Sequence, residues 1–305
     1  VNIRALFVTT RTGDCDNHFS AWEYAYGKAS RITHTPNGVK NDIAILKEAN
    51  SLKPDVIFYI GAAEGPGVPD VKTFHELKNI ATLVNMCSDA VDEGWHDTLR
   101  EYRDEGCFNL HVSIDGAENS YIDHSTVTPI NPEFFNTSIV RDIRCGFSGG
   151  FGSRNVFDYK NHGSAYRGRI IYRLEKLGLL KVRKRAAIGE YSDHVSFMKR
   201  CKMIVNVSLS GSGIEHQIKG RVLESGWAGC ALLESAGSPA INKFPKGSVI
   251  PFSGESEVID IIRNISDGDI ESSAKLLHEH VRNNYHPKLI YGTILKKVGI
   301  NVDTP

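Results

Sequence analysis

The sequence predicts an α/β fold in two domains, and three observations carry that expectation. Short apolar runs of strand length alternate with longer segments of helical period, the pattern of repeated βα units that build a parallel sheet. The chain has 305 residues, more than one core ordinarily serves at about 100 to 200 residues per domain. Between Asp115 and Ser138 the periodicity gives way to polar residues and two prolines, Pro129 and Pro132. The interdomain connection is expected near the end of that stretch.

In the first half, Ile3–Thr9 reads as a buried strand and Asn17–Lys28 as a helix rich in aromatics. Asp42–Ser51 is a helix whose Ile43, Leu46 and Ala49 share a face, and Lys53-Pro54 stops it. Asp55–Ile60 (DVIFYI) is the clearest strand and runs into the glycine- and proline-rich loop GAAEGPGVP. Helix Val71–Asn79, strand Ala81–Cys87, helix Trp95–Glu105 and strand Asn109–Ile114 follow. The second half restarts with strand Ile143–Ser148 before Gly149-Gly150, then helix Ala165–Leu177, strand Leu179–Arg183, helix His194–Cys201 and strand Met203–Ser208. A helix over 217–228 leads into strand Cys230–Glu234. The remainder reads as mostly helical, over Ser256–Asn264, Ile270–Asn284 and Pro287–Val298. Two parallel sheets of similar size predict a cleft between them lined by the carboxyl ends of their strands.

Composition narrows the class. Apolar residues make up 41% and charged residues 24%, ordinary globular usage that excludes wholesale disorder and fibrous architectures. There is no run of about 18 apolar residues, and VNIRALFVTT is soon interrupted by Arg11, Asp14 and Asp16, so a cytoplasmic protein without a transmembrane segment is expected. Cys15, Cys87, Cys107, Cys145, Cys201 and Cys230 form no C-x-x-C pair and read as reduced thiols. The total charge is zero, yet residues 1–140 carry 11 Lys and Arg against 20 Asp and Glu, while 141–185 carry 12 against 3. That basic stretch suits a polyanionic ligand such as a nucleotide diphosphate or a nucleic acid; the plainer reading is a solvated face.

The most informative segment is QIKGRVLESGWAGCALLE, residues 217–234. Lys219 and Arg221 stand at a helix start, where unsatisfied N–H groups favour anions, and Glu224 follows on the same helix. Phosphates at the first turn and a ribose diol at the carboxylate form a natural assignment, since one carboxylate accepts from two vicinal hydroxyls. Without context, Arg221 and Glu224 are equally an ordinary surface pair at i,i+3. A second signal is GFSGGFGSR, residues 146–154. Glycines at a strand's carboxyl end admit close backbone approach to phosphate, which makes Ser148, Gly149 and Gly150, with Arg154 nearby, candidates for the diphosphate. Arg167 and Arg169 are weaker ones.

The segment QIKGRVLESGWAGCALLES resembles the donor-binding segment of CgeB-like glycosyltransferases of the GT-B superfamily, where a pattern close to Q-x-x-x-R-x-x-E-x-x-A-x-G precedes a buried strand. The resemblance implies two Rossmann-like domains facing a central cleft. The N-terminal acceptor-side domain takes residues 1–138, with a C-terminal helix from about 288 to 305 packing back on it. The nucleotide-sugar domain takes 139–287. Carried across, Glu224 matches the ribose-binding glutamate, Lys219 and Arg221 lie near the diphosphate, and Gln217 is in the same loop. The wider superfamily often has a further glutamate eight positions before this one. Here His216 takes that place, with Glu215 one further back.

Glycosyl transfer needs a stabilised leaving diphosphate and, for inversion, a base for the acceptor hydroxyl. Lys219, Arg221 and the helix end can supply the first without a metal. For the base, acids at strand ends are candidates: Asp89 first, then Asp14 and Asp16, with Asp115 and His18 as further choices. Each has an ordinary alternative as a loop cap. GDCDNHF lacks a metal-binding framework, the twelve histidines do not cluster, and no tightly bound cofactor is expected beyond the nucleotide-sugar co-substrate. The expected partners are that donor and a glycan, glycolipid or other hydroxyl acceptor. Modification of a nucleic-acid base is a second reading, weakened by the acidic first half. A non-catalytic nucleotide- or sugar-binding protein is a third.

Overall fold

The computed structural model describes residues 3–10, 17–61, 65–149, 162–184, 191–210 and 215–303, with the backbone alone at 162–164 and 184. The chain divides into two compact units, Val1–Asn131 with Pro287–Pro305, and Pro132–His286.

Unit 1 contains strands β1 (Ala5–Thr9), β2 (Ser30–Thr33), β3 (Val56–Ile60), β4 (Thr82–Cys87), β5 (Leu110–Ser113) and β6 (His124–Ser125) in one sheet of order β2-β1-β3-β4-β5-β6. All its pairings are parallel. Every residue of β1 and β3 is buried, as expected of strands covered on both faces. Leu6, Val8, Ile57 and Tyr59 pack with Ile45 of helix α2 (Asp42–Leu52) and with Phe74 and Leu77 of α3 (Val71–Ile80). The alternate residues Phe7 and Phe58 stack at 5.0 Å and meet Trp22 of helix α1 (Asn17–Tyr26). Helix α4 (Glu93–Asp104) connects β4 to β5.

Unit 2 contains β7 (Ile143–Gly149), β8 (Lys181–Lys184), β9 (Cys201–Asn206), β10 (Ala231–Ser235) and β11 (Val249–Phe252), ordered β11-β10-β9-β7-β8, again all parallel. Its helices are α5 (His162–Lys176), α6 (Tyr191–Arg200), α7 (Gly220–Ala228), α8 (Ala240–Lys243), α9 (Glu255–Asn264) and α10 (Asp267–Asn284). A short 3-10 helix, Pro132–Phe135, opens the unit. The last helix, α11 (Pro287–Lys297), belongs to unit 1. Among the described residues no helix is long and apolar enough to cross a membrane.

The structure corrects the sequence reading in four places. Ile43 is 86% exposed, and Ile45 and Ala49 form the buried face of α2 instead. Ser30–Thr33 is a half-buried edge strand that periodicity missed. Val249–Phe252 is a strand within the tail expected to be helical; Pro251 masks its pattern, and its edge position tolerates a missing donor. The helix expected over 217–228 begins only at Gly220, because Lys219 is extended at φ −76°, ψ 151°.

Candidate nucleotide-sugar site

In unit 2, β7 lies between β8 and β9, so the chain reverses direction across the sheet there. Open α/β sheets bind ligands outside the carboxyl ends of their strands at such a point. Ser148 and Gly149 end β7, Asn206 ends β9, and Glu234 and Ser235 end β10. Gly149 has φ +148°, and a Cβ added there would run into the Arg221 guanidinium. Glycine is thus required by both backbone and space.

Arg221 sits in the first turn of α7. Its guanidinium lies 5.1 Å from the centroid of the Phe147 ring, and Nη1 donates to Asn206 Oδ1 at 2.7 Å. Burial lowers its pKa, partly offset by Glu224 and Glu234. Arg167 of α5 is lowered to about 10, first by burial and then by the charge of Arg221. Its Nε is buried with no hydrogen-bond partner among the described residues. Two guanidiniums close enough to repel, one with an unanswered donor, make a locus that an anion stabilises.

Glu224 is 7% exposed and held from both sides. Tyr191 donates its hydroxyl to Oε1 at 2.8 Å, and His194 Nε2 stands 3.1 Å from Oε2. Burial raises the carboxyl, but the His194 charge, the bonds from His194 and Tyr191, and Arg221 outweigh it and bring it down to about 2. His194 Nδ1 in turn lies 2.7 Å from Ser148 Oγ. Each Glu224 oxygen retains a second lone pair, so the carboxylate stays able to accept from a ligand.

Behind Arg221 runs a second chain. Asn206 Nδ2 and Ser208 Oγ donate to Glu234 Oε2 at 2.7 and 2.9 Å. The backbone N and hydroxyl of Ser235 donate to Oε1 at 2.9 and 3.0 Å. Burial pushes Glu234 up, the bonds from Asn206, Ser208 and Ser235 pull part of the way back, and it stands at about 7.

Of the residues singled out from sequence, Ser148, Gly149, Arg221 and Glu224 come together here. Lys219 is the N-cap of α7. Gln217 is fully buried, its backbone N bonded to Ser208 O at 2.9 Å. His216 pairs with Leu209, and a Cβ on Gly237 would strike its ring. Asp14, Asp16, Gly150 and Arg154 lie outside the described residues. In unit 1, Asp89 follows β4 half-buried, with Ser88 Oγ 3.3 Å from its Oδ2. Asp115 after β5 is 2% exposed; its Oδ1 accepts from Ser113 and Ala117, and its Oδ2 has no partner among the described residues. Both acids stand near Cys87, whose thiol burial pushes up and Asp115 and Asp89 push further. Among the described residues no three His, Cys, Asp or Glu side chains converge as a metal site.

Sequence reasoning missed Tyr191, His194, Asn206 and Glu234, and undervalued Arg167. Tyr191 and His194 are spaced i,i+3 on one helix face, a signal available without the fold. Asn206 and Glu234 end neighbouring strands and carry none.

No family model and no curated protein matches the sequence. Solved structures do match over nearly the whole chain. HepE from Anabaena, crystallised with UDP-glucose, is 11% identical with a TM-score of 0.64 over 97% of this chain and 99% of its own. A glycosyltransferase from Rickettsia africae is 10% identical, TM-score 0.59, with 98% of each chain covered. An alpha-glucosyltransferase solved with UDP-glucose and DNA containing an abasic site is 9% identical, TM-score 0.63, covering 97% and 99%. Two parallel sheets with interleaved helices, matched end to end to these enzymes, give this chain the GT-B fold.

Proposed function

We propose that the chain is a glycosyltransferase, of the CgeB-like kind, that moves a hexosyl or pentosyl group from a nucleotide-diphosphate sugar onto an acceptor hydroxyl in glycan or glycolipid synthesis. The observation that carries it is Arg167 and Arg221 beside the buried carboxylate of Glu224 at the switch point of unit 2. Arg167, Arg221, Lys219 and the first turn of α7 neutralise the diphosphate as the sugar–phosphate bond breaks. Ser148, Gly149 and Gly150, with Arg154, contact the phosphates, Gln217 shapes the same loop, and Glu224 accepts from the ribose diol. For an inverting reaction Asp89, or Asp14 or Asp16, takes the acceptor proton as its oxygen bonds to the anomeric carbon. The fold neighbours solved with UDP-glucose support a nucleotide sugar as donor.

Thermal stabilisation by UDP, GDP, CDP, dTDP and ADP tests this. A ligand at a hundred times its dissociation constant adds about 2.7 kcal/mol, so one diphosphate is expected to raise Tm by several degrees and Glu224→Ala to abolish the rise. No shift with any of the five at millimolar concentration overturns the donor site. A nucleic-acid acceptor is a second reading, favoured by the neighbour solved with DNA. A salt-dependent mobility shift with duplex DNA supports it.

A further inference from the structure

His194 joins Glu224 to Ser148 through both ring nitrogens. Glu224 accepts, so Nε2 carries hydrogen whether or not the ring is charged, and the two states differ at Nδ1. With His194 neutral, Nδ1 is a lone pair and the single Ser148 hydroxyl proton is held on it. With His194 doubly protonated, Nδ1–H donates to Ser148 Oγ and the hydroxyl proton is freed for another acceptor. Ser148 is next to last in β7, directly before the glycine whose side-chain space the Arg221 guanidinium occupies. His194 also reaches Glu224, whose charge interacts with that of Arg221, so the freed donor belongs to the network that holds Arg221.

We infer that His194 is a positioning residue that couples donor binding to the uptake of one proton: protonating it turns the Ser148 hydroxyl into a donor toward the diphosphate of the nucleotide sugar. The inference rests on the donor-site reading above. The proton comes from solvent, no covalent bond forms or breaks, and binding and protonation strengthen one another by linkage. Tyr191 of its own helix and Glu224 of α7 share the network of His194, with Arg221 on the far side of Glu224. From β7 it meets Ser148, and among the described residues β9 contributes the non-titrating Asn206. The 3-10 helix packs Phe134 edge-on against Tyr191, while its Glu133 and the Asp193 of α6 are exposed.

The test is calorimetric titration with UDP-glucose, and with the GDP-, ADP-, CDP- and dTDP-glucose analogues if it is not bound, at pH 6 and pH 8 in two buffers of different ionisation enthalpy. These diphosphate diesters do not themselves titrate across that interval. Wild-type affinity is expected to fall with rising pH, approaching tenfold per unit, with net uptake of up to one proton per ligand. Ser148→Ala lowers affinity more at pH 6 than at pH 8 and reduces the proton uptake. His194→Gln flattens the profile and abolishes proton uptake. A flat wild-type profile without uptake, or an equal loss at both pH values in Ser148→Ala, overturns the role of His194 while the donor site stands, because the ligand still binds. Binding of none of the five sugars at either pH overturns the donor site itself, and this inference with it. Neither the wild-type measurement nor Ser148→Ala depends on the His194 variant folding.

Discussion

Two acids of unit 2, Glu224 and Glu234, are both buried, and their neighbours move them in opposite directions. Glu224, at about 2, is ionised when folded well below the pH at which the unfolded side chain would be. Its contribution to stability is therefore present above the ordinary carboxyl range and lost as pH falls toward 2. Glu234, at about 7, keeps its proton in the folded state through a range where the unfolded chain has lost it. Its contribution is present below about 4.5, the unfolded value, and declines as pH rises to about 7. Glu234→Gln is expected to remove that decline, worth up to roughly 3 kcal/mol, and urea midpoints of wild type and variant at pH 5 and pH 7.5 measure it. The contrast marks what single residues disclosed in advance. Arg221 and Glu224 were legible because they share one helix with a basic start. Tyr191, His194, Asn206 and Glu234 come from three other elements, and only the sheet order brings them to the same place.

At the scale of elements, α7 both carries Arg221 and Glu224 and packs closely on its neighbour. A Cβ on Gly226 would stand 2.5 Å from the Val281 side chain of α10. His278 of α10 also places Nδ1 2.9 Å from the Gly226 carbonyl oxygen. Gly226→Ala gains about 1 kcal/mol of helix propensity but meets an overpacking cost of about 1–3 kcal/mol. A net loss of stability is expected, read from denaturant unfolding. Helices and central strands of this kind were legible because their apolar residues repeat with a fixed period over a long enough window. The edge strands β2 and β11 have four residues each, and β11 contains a proline, so neither presents a period to read. The face of α2 was misread by a fraction of a turn. Ile43 and Ile45 are both apolar, and only the position of the sheet decides which of them is covered.

Over the whole molecule, unit 1 is built from two separate stretches of chain, with unit 2 inserted between them. Tyr291 of α11 is fully buried among Phe7, Trp22 and Phe58, at ring distances of 6.3, 5.1 and 5.4 Å. Its hydroxyl donates to the His18 carbonyl at 2.7 Å, and Tyr26 donates to the Lys288 carbonyl at 3.1 Å. Tyr291→Ala is expected to destabilise unit 1 by about 3–5 kcal/mol, the range for emptying a buried aromatic site, with a corresponding fall in Tm. The α/β class was legible from the alternation of periods, because βα repetition is a property of the sequence itself. The order of strands was not, since either edge of a growing sheet accepts the next strand.

The interrupted build of unit 1 also bears on the order in which the protein matures on the ribosome. Residues 3–131 are made before unit 2, yet Phe7, Trp22 and Phe58 lack the Tyr291 side of their aromatic cluster until Pro287–Lys297 has been made. Unit 2 is contiguous and is synthesised in full before that helix appears. Unit 2, begun later, is thus able to finish before unit 1, and during that interval the nascent unit 1 carries an uncovered aromatic surface open to chaperones and to self-association.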